Sequence, residues 1–297
     1  MTQQQKSYMM PLAMITGGLL HNVFTPLNFI TPYLIFIMLF VTYCRISLKD
    51  MKPNRLHLSL ISFQLIASMA VYFLVNLYDT SAAQGAMVCV LAPTATAAVV
   101  IAVMLGAGVA NMATYSLIVN LVMAIAIPLA LSIVGANGDI TFWGSVITIG
   151  KKVFPLLIMP LFTAMVLKKV WNTAYLAIQK RQAISFYLWM VALTIVTART
   201  ISFILEQPAS SIKLEIVIAL IALVICVMQF VLGRYIGRRN GDVAAGGQSL
   251  GQKNTILAIW LCQSFLNPIS SIAPASYVLW QNLVNSFQLW IYKGESK

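Results

Sequence analysis

Gly247-Gln248-Ser249-Leu250-Gly251-Gln252-Lys253-Asn254-Thr255 stands between two apolar runs near the C-terminus. The stretch is too polar to face lipid, and it lies too deep in a hydrophobic region to be an ordinary loop. At its centre Lys253 has no acidic residue near it in sequence. The reading that fits is a broken membrane helix lining a binding site. Non-helical backbone is tolerated at membrane depth only where it faces protein or a water-filled cavity.

Composition supports a membrane setting. Of 297 residues, 60% are hydrophobic and 9% charged, with a mean hydropathy of +0.87. A soluble domain is about a quarter charged. At about 20 apolar residues per span, the chain has room for about ten helices. The fold class expected is an all-α polytopic membrane protein. Its apolar runs fall at roughly 7–23, 27–46, 56–77, 82–104, 110–133, 148–168, 184–206, 213–237, 242–264 and 272–293. Length favours helix over strand, since a membrane strand needs only about ten residues with alternation.

The net charge of +12 would suggest nucleic acid as a partner in a soluble chain. Here its distribution points to a lipid bilayer instead. Lys6, Arg45, Lys49, Lys52, Arg55, Lys168, Lys169, Lys180, Arg181, Arg234, Arg238, Arg239, Lys293 and Lys297 all fall on one side if every run crosses. Asp79, Asp139, Glu206 and Glu215 collect on the other, with Lys151, Lys152 and Lys213 against the trend. The positive-inside rule then places both termini in the cytoplasm, with the chain multi-pass in the cell (inner) membrane. No cleavable signal reads out of the N-terminus. Cys44, Cys89, Cys226 and Cys262 lie in or beside apolar runs, at spacings that fit neither zinc nor a disulfide framework.

An internal repeat organises the runs. Tyr115-Ser116-Leu117-Ile118-Val119-Asn120-Leu121-Val122 in span 5 reads against Tyr277-Val278-Leu279-Trp280-Gln281-Asn282-Leu283-Val284 in span 10, and Met10-Pro11-Leu12 recurs as Met159-Pro160-Leu161. Both pairs are five spans apart. An odd number of spans per repeat gives halves of opposite topology, about 7–133 and 148–293, as in many secondary transporters. The fourth span of each half is interrupted. Span 4 carries Leu91-Ala92-Pro93-Thr94-Ala95-Thr96-Ala97 and span 9 the stretch quoted above. Proline removes an amide donor and clashes with the preceding turn. Each break leaves a half-helix N-terminus suited to an anion. Two unrelated features, a proline kink and a re-entrant glycine loop, are the plainer alternative.

At this point the residues resemble a known family. Gly251-Gln252-Lys253-Asn254-Thr255-Ile256-Leu257-Ala258 is similar to the span-9 motif of bile acid:sodium symporters, Glu-x-Gly-x-Gln-Asn followed by Leu-Ala. Trp280-Gln281-Asn282-Leu283-x-x-Ser286 resembles their span-10 motif, and Pro93-Thr94-Ala95-Thr96-Ala97 their span-4 Pro-Gly-Gly-Thr-Ala. The resemblance implies ten helices in one transmembrane transporter domain, with a core of spans 3–5 and 8–10 and a panel of spans 1, 2, 6 and 7. Spans 4 and 9 cross in that core. It implies uptake of a small organic anion driven by sodium. On the matched positions it favours Asn254 and Asn282 as substrate-binding residues, joined by Thr94, Thr96 and Lys253.

Departures from the family pattern fall on the ion sites. The span-9 Glu, a sodium ligand, falls on Ser249 and the Gln on Lys253. The Ser-Asn that follows the span-4 motif is Ala98-Val99 here. Sodium needs a cage of hard oxygen ligands, and no Asp or Glu lies in the middle of a span. We expect degraded sodium sites, with Lys253 standing where a cation would sit. An ammonium at mid-membrane costs roughly 2.5–3.5 kcal/mol or more and marks a pathway. Two mechanisms follow: a tethered counter-ion for the anion, or a lysine that titrates and couples transport to protons. A structural lysine on carbonyls freed by the break is the third reading. Ion-coupling candidates are Lys253, Ser249 and Gln252, with Asn111, Thr114 and Ser116 of span 5, whose spacing shares a helix face. Interhelical hydrogen bonding explains those three equally well.

No enzyme signature, metal motif or cofactor-binding loop reads out of the chain. The expectation is a secondary transporter of an organic anion. A non-transporting membrane ligand-binding protein or sensor of the same fold is the alternative.

Overall fold

The computed structural model describes residues 12–45, 51–95, 98–135, 141–181, 183–206 and 212–295. In chain order the helices are α1 (12–19), α2 (His21–Phe24), α3 (Thr31–Tyr43), α4 (Arg55–Asn76), α5 (Thr80–Leu91), α6 (Ala98–Met104) and α7 (Val109–Val134). There follow α8 (Phe142–Val170), α9 (Asn172–Lys180), α10 (Ala183–Glu206), α11 (Ile212–Arg239), α12 (Val243–Gly251), α13 (Thr255–Phe265) and α14 (Ile272–Glu295). Among the described residues no β-strand forms, and 6 helical runs are long and apolar enough to cross a bilayer. The protein is an all-α, multi-pass membrane protein.

Polar side chains inside and apolar ones outside mark the membrane setting. On α4, Leu60, Gln64 and Ser68 follow one another at i, i+4 and are buried, while Leu58, Ile66 and Phe73 are 71%, 72% and 59% exposed. Lipid solvates the outer face, and the inner face carries hydrogen-bonding groups that need partners.

The chain folds into two compact units, each made from two stretches of sequence. The first combines Met1–Ile46 with Lys151–Ser211, and the second Ser47–Gly150 with Ile212–Lys297. Within the first, α10 packs along α2 and α3. Gly17 lets α1 approach α10 so closely that a Cβ would strike the Thr194 carbonyl. His21 Nδ1 and Thr25 Oγ1 both meet Ser202 Oγ, at 3.0 and 2.7 Å. The apolar-run reading puts a turn between spans 1 and 2. Instead a 3-10 segment, Thr25–Ile30, with Pro26 in its first turn joins α2 to α3, giving a continuous run His21–Tyr43. Proline is tolerated there because a first-turn amide has no intrahelical acceptor. α9 is a second departure. This nine-residue amphipathic helix sits in the basic connection where a loop was expected, too short to register as an apolar run.

The second unit holds both interruptions. α5 ends at Leu91 and α6 starts at Ala98, while α12 ends at Gly251 and α13 starts at Thr255. Each of these helices except the N-terminus of α6 shows why it starts where it does. Asp79 caps α5 on the Ala82 amide at 2.8 Å, and Asp242 caps α12 on the Ala245 amide at 2.9 Å. Asn254 caps α13 by accepting from the Leu257 amide at 3.2 Å. Such caps satisfy amide donors that have no intrahelical partner. α11 and α12 pack at backbone distance. A Cβ on Gly233 or Gly237 would collide with the backbone of Gly246 or Asp242, and one on Gly246 with that of Gly233 and Gly237. Small residues of this kind let helices approach in a membrane.

Candidate functional site

The two breaks meet inside the second unit. Thr94 and Lys253 form an isolated antiparallel bridge. The Ala95 amide donates to the Gln252 carbonyl at 2.9 Å, and the Asn254 amide donates to the Pro93 carbonyl at 2.8 Å. Thr94 adds a side-chain bond, its hydroxyl donating to the Ser249 carbonyl at 2.7 Å. Pro93 explains why α5 stops: it has no N–H to continue the ladder. Part of the freed backbone of each break is then satisfied by the other.

Every carbonyl at the broken end of α5 has a donor. Val88 accepts from the Ala92 amide at 2.9 Å. Cys89 accepts from Gln229 Nε2 at 3.3 Å and Val90 from Lys253 Nζ at 2.8 Å. Leu91 and Ala92 both accept from Gln64 Nε2, at 3.0 and 2.9 Å. The Lys253 side chain is 1% exposed. It lies at the C-terminal end of a half-helix, where the macrodipole favours a cation. On the other arm, Tyr277 Oη donates to the Gly251 carbonyl at 2.9 Å, and Gln281 Oε1 accepts from the Lys253 amide at 2.9 Å.

A second tier of amides braces this centre. Gln64 Oε1 accepts from Tyr115 Oη at 3.1 Å, and Gln229 Nε2 donates to Tyr277 Oη at 2.9 Å. Gln252 Oε1 accepts from Asn285 Nδ2, and Gln248 Nε2 donates to Asn285 Oδ1 at 2.9 Å and to Gln288 Oε1 at 3.2 Å. Gln248 Oε1 and Gln229 Oε1 are buried acceptors with no protein donor.

Of the residues singled out from sequence, Thr94, Ser249, Gln252, Lys253 and Asn254 come together here. Ser249 Oγ additionally meets Met112 Sδ of α7 at 3.5 Å. Thr96 lies outside the described residues. Asn282 Nδ2 bonds back to the Val278 carbonyl of its own helix, and Thr114 Oγ1 to the Ala110 carbonyl. Ser116 is buried, and its carbonyl accepts from Asn120 Nδ2 at 2.6 Å. Asn111 belongs to another cluster, at the starts of α4, α7 and α12. Its Oδ1 meets His57 Nε2 at 2.7 Å and Asn54 Nδ2 at 2.8 Å, and its Nδ2 donates to Asp242 Oδ2 at 2.9 Å.

Gln64, Gln229 and Asn285 lie outside every motif read from the sequence, and Gln281 lies within one without being singled out as a site residue. The signal was present in their position: each is an uncharged amide in the interior of an apolar run, where an unpaired polar group is costly. Among the described residues no cluster of three or more His, Cys, Asp or Glu side chains could hold a metal ion. No family model matches the chain, and no curated protein matches it.

Proposed function

We propose that this protein is a secondary transporter of a small organic anion, working by alternating access, with Lys253 as a resident cation in place of a bound sodium ion. The observation that carries the reading is the junction itself: two interrupted helices meet and enclose one lysine side chain. Broken helices are the elements from which transporter sites are built. An ionisable side chain buried in a membrane protein points to a pathway.

Three further features support the inverted plan of two five-span halves, with spans 4 and 9 as the broken pair. The first halves of both broken spans begin on an aspartate cap, Asp79 and Asp242. A bonded Gln–Tyr pair stands beside each break: Gln64, which accepts from Tyr115, holds the end of α5, and Tyr277, which accepts from Gln229, holds the Gly251 carbonyl, and the two tyrosines are the ones aligned by the sequence repeat. Asn120 and Asn282, also aligned, each bond back to the carbonyl four residues earlier at 2.6 Å. The two compact units correspond to spans 3–5 with 8–10 and to spans 1, 2, 6 and 7, the partition expected of a core that moves against a panel. In this reading both termini are cytoplasmic, following the basic residues.

Replacement of the ion has a physical basis. The carbonyls of Val90, Pro93, Ser249, Gly251 and Gln252, which a cation at the junction would need, each accept from a protein donor. In this reading Lys253 itself supplies the monovalent charge.

The burial of Lys253 and its bond to the Val90 carbonyl also favour a second reading, a ligand-binding membrane sensor that does not transport. Proteoliposomes decide between them. Counterflow of a radiolabelled monocarboxylate or organosulfate, unchanged when sodium is replaced by choline and lost in Lys253→Met, supports the transporter. Saturable ligand stabilisation with no flux supports the sensor. Flux with unchanged ion and pH dependence in Lys253→Ala overturns the role given to the lysine.

A further inference from the structure

Away from the junction, the second unit carries an apolar groove of about 650 Å³ near the basic ends of its helices. That volume lies within the ~300–1,000 Å³ common for small-molecule sites. Its walls include Val227 and Val231 of α11, Val243 of α12, and Val284, Phe287 and Ile291 of α14. Two polar groups interrupt them, Arg234 and Gln288. Val231 and Phe287 are 58% and 59% exposed, so the groove is open to the surrounding phase.

The chemistry of the lining selects the occupant. Arg234 has no acidic partner among the described residues, and its aliphatic stem is seated against Gly247, where a Cβ would strike its Cγ. Arg238 and Arg239 continue the basic face one turn further along α11. Asp242, at the start of α12, has both oxygens engaged, one on the Ala245 amide and one on Asn111 Nδ2. A guanidinium above an apolar slot, at a basic helix end in a bilayer, matches a phosphate headgroup with an acyl chain below it. We propose that this groove binds an anionic phospholipid of the bilayer, the chain lying between α11 and α14 and the phosphate at Arg234.

The site connects to the junction through one side chain. Gln288 lines the groove and accepts from Gln248 Nε2, which also bonds Asn285 and through it Gln252, the neighbour of Lys253. Gln248 Oε1 is buried and unpartnered beside this path.

The test uses the full-length chain in a neutral maltoside, titrated with dioleoyl phosphatidylglycerol or dioleoyl phosphatidylcholine while the thermal unfolding midpoint is followed. A ligand that binds the folded state raises that midpoint. Phosphatidylglycerol is expected to raise it saturably and phosphatidylcholine to leave it unchanged. Arg234→Gln should weaken half-saturation about tenfold, the effect of losing one charge-assisted contact. Val284→Trp, which fills the slot without altering charge, should do the same, whereas Arg45→Gln, in the first unit, should not. Should Arg234→Gln fail to fold, Arg234→Lys and Val284→Trp still report. Equal stabilisation by the two lipids, equal stabilisation by inorganic phosphate, or wild-type half-saturation in both groove variants would overturn the proposal. Lys253→Met is expected to keep the phosphatidylglycerol response, so a failed transport reading leaves this result interpretable.

Discussion

Lys253 Nζ donates to the Val90 carbonyl at 2.8 Å across two chain segments that are far apart in sequence. The bond links the arm that supplies the lysine to the arm whose last carbonyls have no donor within their own helix. The side chain caps α5, and the proposed function asks it in addition to carry a charge at the junction.

Substitution separates those duties. Lys253→Met keeps the length and apolar stem but leaves the Val90 carbonyl buried without a donor, at a cost of about 1–3 kcal/mol. Lys253→Arg keeps the charge and a donor. Thermal unfolding of the purified chain should show a lowered midpoint for Met and a smaller change for Arg. Flux should fall at least tenfold for Met. A Met variant that unfolds earlier yet transports normally would assign the lysine to capping alone.

The tyrosine pair gives a symmetric prediction. Tyr277→Phe removes the donor to the Gly251 carbonyl and the acceptor of Gln229 Nε2. Tyr115→Phe removes one bond, that to Gln64 Oε1. Hydrogen bonds between membrane helices are worth roughly 0.6–1.7 kcal/mol. Tyr277→Phe should therefore destabilise about twice as much as Tyr115→Phe. A double-mutant cycle of Gln229→Leu with Tyr277→Phe should return a coupling on the order of 1 kcal/mol. A coupling near zero would remove Gln229 from the brace.

Much of this arrangement was legible in the sequence because membrane physics leaves few options. Apolar runs fixed an all-helical, multi-pass chain, and Pro93 with the Gly247–Thr255 stretch marked where helices stop. The partners of the freed backbone were not legible. Gln64 and Gln229 sit in apolar context with no motif around them, and only three-dimensional proximity shows that they cap α5. Asn282, which the resemblance favours, donates its side-chain amide to its own helix, because an asparagine inside a helix finds the i−4 carbonyl first. Asn111 shared a helix face with Thr114, yet it reaches toward α4 and α12, since helical periodicity gives a face and not its neighbour. α9 escaped because a nine-residue amphipathic helix leaves no long apolar run.

Close approach of α11 and α12 should be sensitive to a single methyl group. In Gly246→Ala the added carbon meets the Gly233 carbonyl and the Gly237 backbone, neither of which can turn aside as a side chain would. Overpacking of this kind costs about 1–3 kcal/mol. Gly241 is a control with a different mechanism: a Cβ there meets nothing within 4 Å, but its φ of +83° disfavours an L side chain. Gly241→Asn, which tolerates that region, should be nearly neutral, while Gly241→Val should not. Unfolding midpoints of the four proteins, wild type included, order these effects. A neutral Gly246→Ala would show that α12 is free to shift away from α11.

Asp242 and Asp79 each cap the helix that leads into a break, yet they should differ in consequence. Asp79 accepts from one amide, that of Ala82. Asp242 accepts from the Ala245 amide with one oxygen and from Asn111 Nδ2 with the other, and Asn111 in turn meets His57 and Asn54. Removing a cap costs typically ~1 kcal/mol. Asp79→Ala should cost about that amount. Asp242→Ala should cost roughly 2–3 kcal/mol, because it also orphans a donor in a network joining α4, α7 and α12. Asp242→Asn offers one acceptor oxygen where two are used, so it should fall between. Because α12 leads directly to Lys253, the Asp242 variants should impair transport in the same order in which they destabilise. An Asp242→Ala protein no less stable than Asp79→Ala would show that the Asn111 contact contributes nothing and that the cap alone sets the start of α12.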